Sequence, residues 1–372
     1  MKLPPVNMLI KPASSLCNMR CKYCFYSDVA QNRNTESYGI MSLSTLEDIT
    51  KKALETADGM CSFAFQGGEP TLAGIDFFRK LIEFQKKYNT KNITIYNAIQ
   101  TNGYDLNEEW AIFFAENNFL VGLSLDGCKE IHDSMRIDFN GAGTYNKVIK
   151  TAKLFDKYNV QYNILCVVNN LIARHPQKVY NNLKKYKFLQ FIPCIDAFDG
   201  VKKEYSLSAD RYETFLKVMF DCYYKDFMAG NYVSIRNYDN YIMMLNGSHP
   251  EACGMSGVCS CYFVVESDGS VFPCDFYVLD KYYLGNIRES SFLDIMSSAK
   301  AKMFVEESMP IHDKCKKCNW LNICRGGCRR NREPFLDNEP GLNSYCSAFK
   351  GFFEYAYPRL AQCAMICRNR NF

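Results

Sequence analysis

The spacing of its cysteines is the feature that most restricts how this chain can fold. The 372 residues contain 19 cysteines, and the first residues carry neither the apolar run nor the small-residue cleavage site of a secretory signal. We therefore expect a cytoplasmic protein, in which thiols stay reduced. Cysteines in such a chain favour metal binding over disulfides, and they concentrate in two regions, residues 17–24 and 253–346.

The charge and hydrophobicity of the chain exclude several other classes of protein. Its 44 Lys and Arg residues stand against 40 Asp and Glu residues, which leaves a net charge of +4. That is too small to indicate nucleic acid or a membrane surface as the main partner. No apolar stretch of about 18 residues occurs, so we expect no membrane span.

Strand and helix patterns alternate about six times in the first two thirds of the chain. Strands are predicted at residues 6–10, 61–65, 93–99, 119–125, 161–168 and 188–192, with a short one at 232–236. Helices are predicted at residues 45–57, 75–88, 107–117, 144–158, 175–186 and 208–229. The strands are nearly continuous apolar runs, which is typical of parallel strands covered on both faces. The pattern predicts an α/β fold, a partial (β/α)6 barrel over residues 1–236.

The remaining residues, 237–372, are predicted to form a small, loop-rich second domain. Apolar residues alternate from Tyr262 to Pro273 around the Asp268-Gly269 turn, which predicts a β-hairpin. A final helix is predicted at residues 347–367.

Polar residues follow most of the predicted strands. They are Ser14 to Cys24, Gln66 to Glu69, Gln100 to Asn102, Ser124 to Asp126, and Asn169-Asn170. Because the carboxyl ends of barrel strands meet at one rim, we expect the active site there.

Both cysteine-rich regions have spacings that suit metal binding. Cys17, Cys21 and Cys24 can hold three irons of a cubane cluster and leave the fourth iron open. A structural zinc ion instead needs four ligands, and the nearest histidine is His132. The C-terminal region has enough cysteines for two four-ligand clusters, although residues 315–324 alone also fit a zinc knuckle.

The loop Cys17-Asn18-Met19-Arg20-Cys21-Lys22-Tyr23-Cys24 resembles the Cys-x3-Cys-x-aromatic-Cys signature of the radical SAM superfamily. The resemblance implies a [4Fe–4S] cluster on Cys17, Cys21 and Cys24 whose open iron binds S-adenosyl-L-methionine. Residues 66–70 look like the family's Gly-Gly-Glu-Pro motif, which contacts the methionine moiety. The implied cofactor-binding residues are Tyr23, Gln66, Gly67, Gly68, Glu69, Ser124 for the ribose, Arg136 for the carboxylate and Ile195 for the adenine.

The C-terminal cysteines resemble those of the SPASM extension of radical SAM enzymes that modify peptides. The resemblance implies two auxiliary [4Fe–4S] clusters, three clusters in all. The first would be held by Cys253, Cys259, Cys274 and Cys328, and the second by Cys315, Cys318, Cys324 and Cys346. Cys261 lies two residues from Cys259 and competes with it for the first cluster.

Longer stretches resemble the anaerobic sulfatase-maturating enzymes, among them LIKPASS, SFAFQGGEPTLAG, QTNG, YNILCVV, FVVESDGSV-x-PCDFYVLDK and CRGGCRR. The resemblance implies a radical SAM oxidoreductase that converts a Cys or Ser to Cα-formylglycine in a Cys/Ser-x-Pro-x-Arg segment of an unfolded sulfatase polypeptide. A 5′-deoxyadenosyl radical would abstract the Cβ hydrogen, Asp275 would be the general base, and the auxiliary clusters would accept the electron. The implied electron donor is a ferredoxin or flavodoxin.

Two other functions fit parts of the pattern. A SPASM peptide maturase would form a thioether or another crosslink, but many of these carry a leader-recognition domain for which Cys17 leaves no room. A zinc-stabilised binding module without catalysis would not need residues 17–24. Within the sulfatase resemblance, Cys128 and residues 195–206 depart from relatives, which bears on substrate choice more than on chemistry.

Overall fold

The structure is a computed structural model that describes residues 5–333 and 341–369. Ten strands form one sheet in the order β10-β9-β8-β1-β2-β3-β4-β5-β6-β7. The strands are β1 Val6–Ile10, β2 Met60–Phe65, β3 Thr94–Thr101, β4 Leu120–Ser124, β5 Tyr162–Val168, β6 Phe188–Pro193, β7 Ser234–Ile235, β8 Phe263–Val265, β9 Ser270–Phe272 and β10 Gly285–Asn286.

Strands β1 to β7 are all parallel and lie side by side in chain order. Helices connect them, as expected when each strand must return to the same end of the sheet. The predicted α/β fold with a parallel sheet, followed by a loop-rich cysteine region with a hairpin and a C-terminal helix, is therefore confirmed.

Fourteen helices occur in the described residues. They are α1 Phe25–Gln31, α2 Leu43–Thr56, α3 Ile75–Tyr88, α4 Glu108–Glu116, α5 Lys129–Met135, α6 Tyr145–Lys157, α7 Pro176–Leu183, α8 Ala209–Met228, α9 Arg236–Leu245, α10 Phe292–Ser297, α11 Ala299–Glu306, α12 Asp313–Lys316, α13 Leu321–Cys324 and α14 Cys346–Asn369. The pattern did not predict the short helices α1 and α5. None of the described helices is long and apolar enough to cross a membrane.

The two faces of the barrel strands differ in burial. In β2 the residues that face the helices, such as Phe63, are fully buried, whereas the alternate residues are only partly buried. One of these alternate residues, Ala64, lines a cavity of about 1010 Å³ inside the barrel together with Ala98 of β3 and Gly122 of β4. The apolar runs predicted strands that are covered on both faces. The inner face is instead partly open, because it borders a space large enough for a ligand.

The hairpin of the cysteine-rich region joins the barrel sheet directly. Strand β8 pairs in parallel with β1, with Met8 opposite Phe263 and Ile10 opposite Val265. The predicted second domain, residues 237–372, thus shares a sheet with the first. Its predicted start also falls at the beginning of α9, a helix that contacts β6 and α14.

Candidate functional site

The first cysteine loop lies between β1 and α1, at the carboxyl end of the sheet. Cys17, Cys21 and Cys24 are all partly buried there. Burial is the main cause that raises the pKa of Cys17 to about 12 and that of Cys21 to about 11. Such raised pKa values make these thiols poor free nucleophiles. Three thiols on one loop can instead serve together as ligands of a metal centre.

The glycine turn after β2 packs against this cysteine loop. Gly67 and Gly68 have φ angles of 112° and 55°, which favour glycine. A Cβ on Gly68 would lie 2.1 Å from the carbonyl oxygen of Leu16, and the amide of Glu69 donates to that same oxygen at 2.8 Å. The turn therefore fixes the backbone immediately before Cys17.

The side chain of Glu69 is buried and accepts hydrogen bonds from nearby residues. Its carboxylate accepts hydrogen bonds from the amide of Asn102 at 2.7 Å, from Thr101 Oγ1 at 2.8 Å and from Thr71 Oγ1 at 2.7 Å. Burial raises the pKa of Glu69, and these donors oppose the rise. The side chain thus ties the ends of β2 and β3 together at the rim.

Arg136 and Tyr23 meet at a carboxylate that sequence patterns did not single out as a site residue. Arg136 Nε lies 2.9 Å from Asp126 Oδ2, and both residues are buried. The hydroxyl of Tyr23 donates to the same Oδ2. Arg136 Nη1 also lies 4.0 Å from Cys21 Sγ. Arg136, predicted to bind the carboxylate of a ligand, therefore already has an ion-pair partner, and it holds the Tyr23-Cys21 segment in place.

The two other predicted cofactor contacts lie in different places. Ser124 ends β4, and its Oγ accepts a hydrogen bond from Gln100 Nε2 at 3.0 Å. A Cβ at Gly122 would lie 2.0 Å from Gln100 Oε1, so the glycine makes room for that contact. Ile195 follows β6 and lines a separate cavity together with Cys253 and other C-terminal cysteines.

Asp275, directly after Cys274, sits in a pocket formed by two donors. Its Oδ2 accepts from the hydroxyl of Tyr26 at 2.5 Å and from Gln66 Nε2 at 3.3 Å, and Gln66 also donates to Tyr26 at 2.7 Å. Its Oδ1 is buried and has no hydrogen-bond partner among the described residues. Burial raises the pKa of Asp275 to about 6, while the charge of Lys11 opposes the rise. The free oxygen is available to a ligand's proton.

Four of the C-terminal cysteines surround one cavity of about 400 Å³. They are Cys253, Cys259, Cys274 and Cys328. The pKa of Cys253 rises to about 11, first through burial and then through the neighbouring thiols of Cys328 and Cys259. Burial also raises the pKa of Cys274, again with a contribution from those two thiols.

Another four cysteines line a second cavity of about 490 Å³. They are Cys315, Cys318, Cys324 and Cys346. Burial is the main cause that raises the pKa of Cys324 to about 11, and the thiols of Cys346, Cys315 and Cys318 raise it further. The structure thus divides the eight cysteines into the same two sets of four that the sequence resemblance implied.

Cys261 lies apart from both sets. Its Sγ donates to the carbonyl oxygen of Tyr262 at 3.9 Å, and its pKa rises to about 11 through burial, with no contribution from another cysteine. It does not line the cavity that Cys259 lines.

No three His, Cys, Asp or Glu side chains gather around a single-ion site in residues 5–333 and 341–369. The donor sets instead consist of three thiols on one loop and of four thiols around each of two cavities. Because iron–sulfur clusters take cysteine thiolates as ligands and occupy more space than one ion, these sets fit iron–sulfur clusters.

Several remaining cysteines are core residues. Cys61 in β2 and Cys166 in β5 are fully buried on the helix-facing side of the sheet, and Cys363 is fully buried in α14.

Comparison with known proteins gives matches over both halves of the chain. Residues 12–181 match the model of the radical SAM superfamily, and residues 253–319 match that of SPASM, an iron–sulfur cluster-binding domain. These matches indicate that the chain binds iron–sulfur clusters and S-adenosyl-L-methionine.

Full-length relatives are also similar. The chain is 52% identical over 363 residues to a cysteine-type anaerobic sulfatase-maturating enzyme of Clostridium novyi, covering 96% of this chain and 97% of the relative. It is 32% identical over 377 residues to a serine-type enzyme of Bacteroides thetaiotaomicron, covering 95% and 90%. A solved structure of native anSMEcpe with bound AdoMet and Cp18Cys peptide has a TM-score of 0.93 and 51% identity, covering 97% of this chain and 99% of that chain.

Proposed function

The chain belongs to the anaerobic sulfatase-maturating enzymes, which are radical SAM enzymes with a SPASM domain, and from that premise we propose that it oxidises a cysteine or serine of an unfolded sulfatase to Cα-formylglycine. The target residue would lie in a Cys/Ser-x-Pro-x-Arg segment. The observation that carries the proposal is the position of Asp275 beside both the glycine turn of the cofactor rim and the cysteine set that includes Cys274.

Cys17, Cys21 and Cys24 would hold the first cluster, and the rim residues 66–69 and Ser124 would bind the cofactor. Arg136, which is paired with Asp126, would hold the cysteine loop in place beside them. When bound, S-adenosylmethionine and the clusters supply the radical that removes the Cβ hydrogen and the acceptor for the electron that leaves the substrate. The packing of Gly68 against Leu16 supports a rim that is rigid before the cofactor arrives.

In this proposal Asp275 takes the proton from the substrate thiol or hydroxyl while one electron leaves the carbon. Tyr26 and Gln66 hold Oδ2, and the unpartnered Oδ1 is the oxygen that meets the substrate. A cysteine substrate then gives a thioaldehyde, which water converts to the aldehyde with loss of sulfide. A serine substrate gives the aldehyde directly.

We further propose that cysteine is the preferred target. The relative named cysteine-type shares 52% of its aligned residues with this chain, against 32% for the serine-type relative. The solved structure with 51% identity carries a peptide, which supports a peptide as the substrate here. We also propose that a ferredoxin or flavodoxin reduces the first cluster.

The proposal is tested with the purified protein under anaerobic conditions. The protein is given S-adenosylmethionine, a reductant and two peptides that differ only in Cys or Ser before x-Pro-x-Arg. We expect 5′-deoxyadenosine and a mass change to the aldehyde, with faster conversion of the Cys peptide. If 5′-deoxyadenosine forms and neither peptide changes mass, sulfatase maturation is wrong for this chain. If the Ser peptide reacts faster, the substrate preference is wrong.

The two candidates for the first auxiliary cluster give a separate prediction. We propose that Cys259 is a ligand and Cys261 is not, because Cys259 lines the cavity of the other three thiols. Cys259→Ala should then lower the iron content by about four irons in each chain, and Cys261→Ala should leave it unchanged. The two variants serve as each other's control, and iron and sulfide analysis decides between them. Loss of iron in Cys261→Ala would reverse the assignment.

A further inference from the structure

Lys11 is a buried, charged residue that has no role in the reaction proposed above. It directly follows β1, at the carboxyl end of that strand, and only 1% of it is exposed. Its Nζ lies 2.6 Å from Glu266 Oε1, and Arg33 Nη1 lies 2.6 Å from the same oxygen. Burying a cation is unfavourable unless its surroundings compensate for the lost water. Two buried cations on one carboxylate oxygen leave an excess positive charge close to the site.

Lys11 also lies against Tyr26, one of the two residues that hold Asp275, and against Gly67, the neighbour of the other. Its Nζ lies 5.5 Å from the ring centroid of Tyr26, whose hydroxyl donates to Asp275. Its stem lies against Gly67, where an added Cβ would be 2.6 Å from Lys11 Cε. Gly67 directly follows Gln66, the second donor to Asp275. Lys11 therefore packs against one donor, Tyr26, and against the glycine turn that carries the other, Gln66.

We propose that Lys11 is a positioning residue that acts through Tyr26 and Gln66 to keep Asp275 in place beside the substrate. Lys11 would thereby raise the yield of aldehyde for each cofactor cleaved. If Asp275 is displaced, the substrate radical has no proton acceptor and does not go on to product. The inference rests on the proposed function, in which Asp275 removes the substrate proton.

Because Arg33 also binds Glu266, the positioning role of Lys11 can be tested apart from its contribution to the fold. Arg33 keeps Glu266 paired when Lys11 is removed, and it also donates to Ser14 Oγ at 3.2 Å and to the carbonyl oxygen of Glu36 at 2.8 Å. The connection between the hairpin and the segment after α1 therefore does not depend on Lys11 alone.

The test compares Lys11→Met, Lys11→Arg and the control Lys80→Met, which removes an exposed lysine paired with Glu83 on α3. The measurement is the amount of aldehyde formed for each 5′-deoxyadenosine, with the Cys peptide and the full chain. We expect this ratio to fall about tenfold or more in Lys11→Met, with wild-type iron content and cofactor cleavage. Lys11→Arg, which keeps the charge, should restore most of the ratio, and Lys80→Met should not change it.

A merely structural role for Lys11 would lower 5′-deoxyadenosine and aldehyde together and leave their ratio unchanged, which would overturn the inference. If Lys11→Met does not take up its iron, Lys11→Gln replaces it, with the same expected fall and the same contrary result. A wild-type protein that forms no aldehyde would instead contradict the proposed function, so the two failures are distinguishable.

Discussion

Replacement of Cys17, Cys21 and Cys24 by alanine is expected to abolish formation of 5′-deoxyadenosine and to leave the auxiliary clusters in place. The three thiols lie on one loop between β1 and α1, and the eight C-terminal cysteines line two other cavities. On the proposal that each of the three sets of thiols holds one [4Fe–4S] cluster, the triple variant should keep roughly eight of twelve irons, because each cluster carries four. Iron and sulfide analysis and assay of 5′-deoxyadenosine measure both effects.

The control for this variant replaces Cys61 and Cys166, two cysteines of the barrel core that are fully buried in β2 and β5. Their conversion to alanine should leave iron content and cofactor cleavage near wild type. If the triple variant still cleaves S-adenosylmethionine, the loop does not hold the reactive cluster. If it retains all of its iron, the loop holds no cluster.

The barrel strands could be predicted because each is a local pattern. The run of residues 61–65 is mostly apolar, contains two aromatic residues and is followed by a glycine turn, so its identity as a strand does not depend on distant residues. The pairing of β8 with β1 could not be predicted in this way. It joins residues about 255 positions apart, and nothing in either segment alone specifies which sheet edge it meets.

The grouping of the C-terminal cysteines came from the resemblance, since spacing alone left their pairing open. Cys328 is an example, because it lies four residues after Cys324 in the chain but lines the cavity of Cys253 and Cys259. Arg325, Gly326 and Gly327 have left-handed φ angles of 53°, 80° and 72°, and they turn the chain between the two cavities.

The sequence patterns do not predict the buried polar residues that hold the site residues in place, and the reason is a different one. Asp126 is one of several polar residues after a strand, Tyr26 follows the cysteine loop, and Lys11 follows an apolar strand, so no local pattern distinguishes them. A sequence indicates a buried charge only when a partner is close in the chain, whereas Lys11 finds Glu266 through the β1-β8 pairing. Such residues become visible only when the fold is known.

Asp275→Asn is expected to separate cofactor cleavage from product formation. Asparagine has nearly the same shape, and its carbonyl oxygen can still accept from Tyr26. Its NH2 group then takes the place of Oδ1 and cannot accept a proton. We expect aldehyde formation to fall by about a hundredfold or more, with 5′-deoxyadenosine still formed. Both products are measured in the same anaerobic reaction with the Cys peptide.

The matched control is Asp280→Asn, an exposed aspartate five residues further along whose Oδ2 accepts from the amide of Asn34 at 2.8 Å. It makes the same chemical change in the same segment without touching Tyr26 or Gln66, so its aldehyde yield should match the wild type. Iron content must be equal in both variants, because Asp275 adjoins Cys274 and a lost cluster would also lower the yield. An Asp275→Asn protein with full iron and an unchanged yield would show that another group takes the proton. The free oxygen of Asp275 would then be a substrate contact without a role in proton transfer.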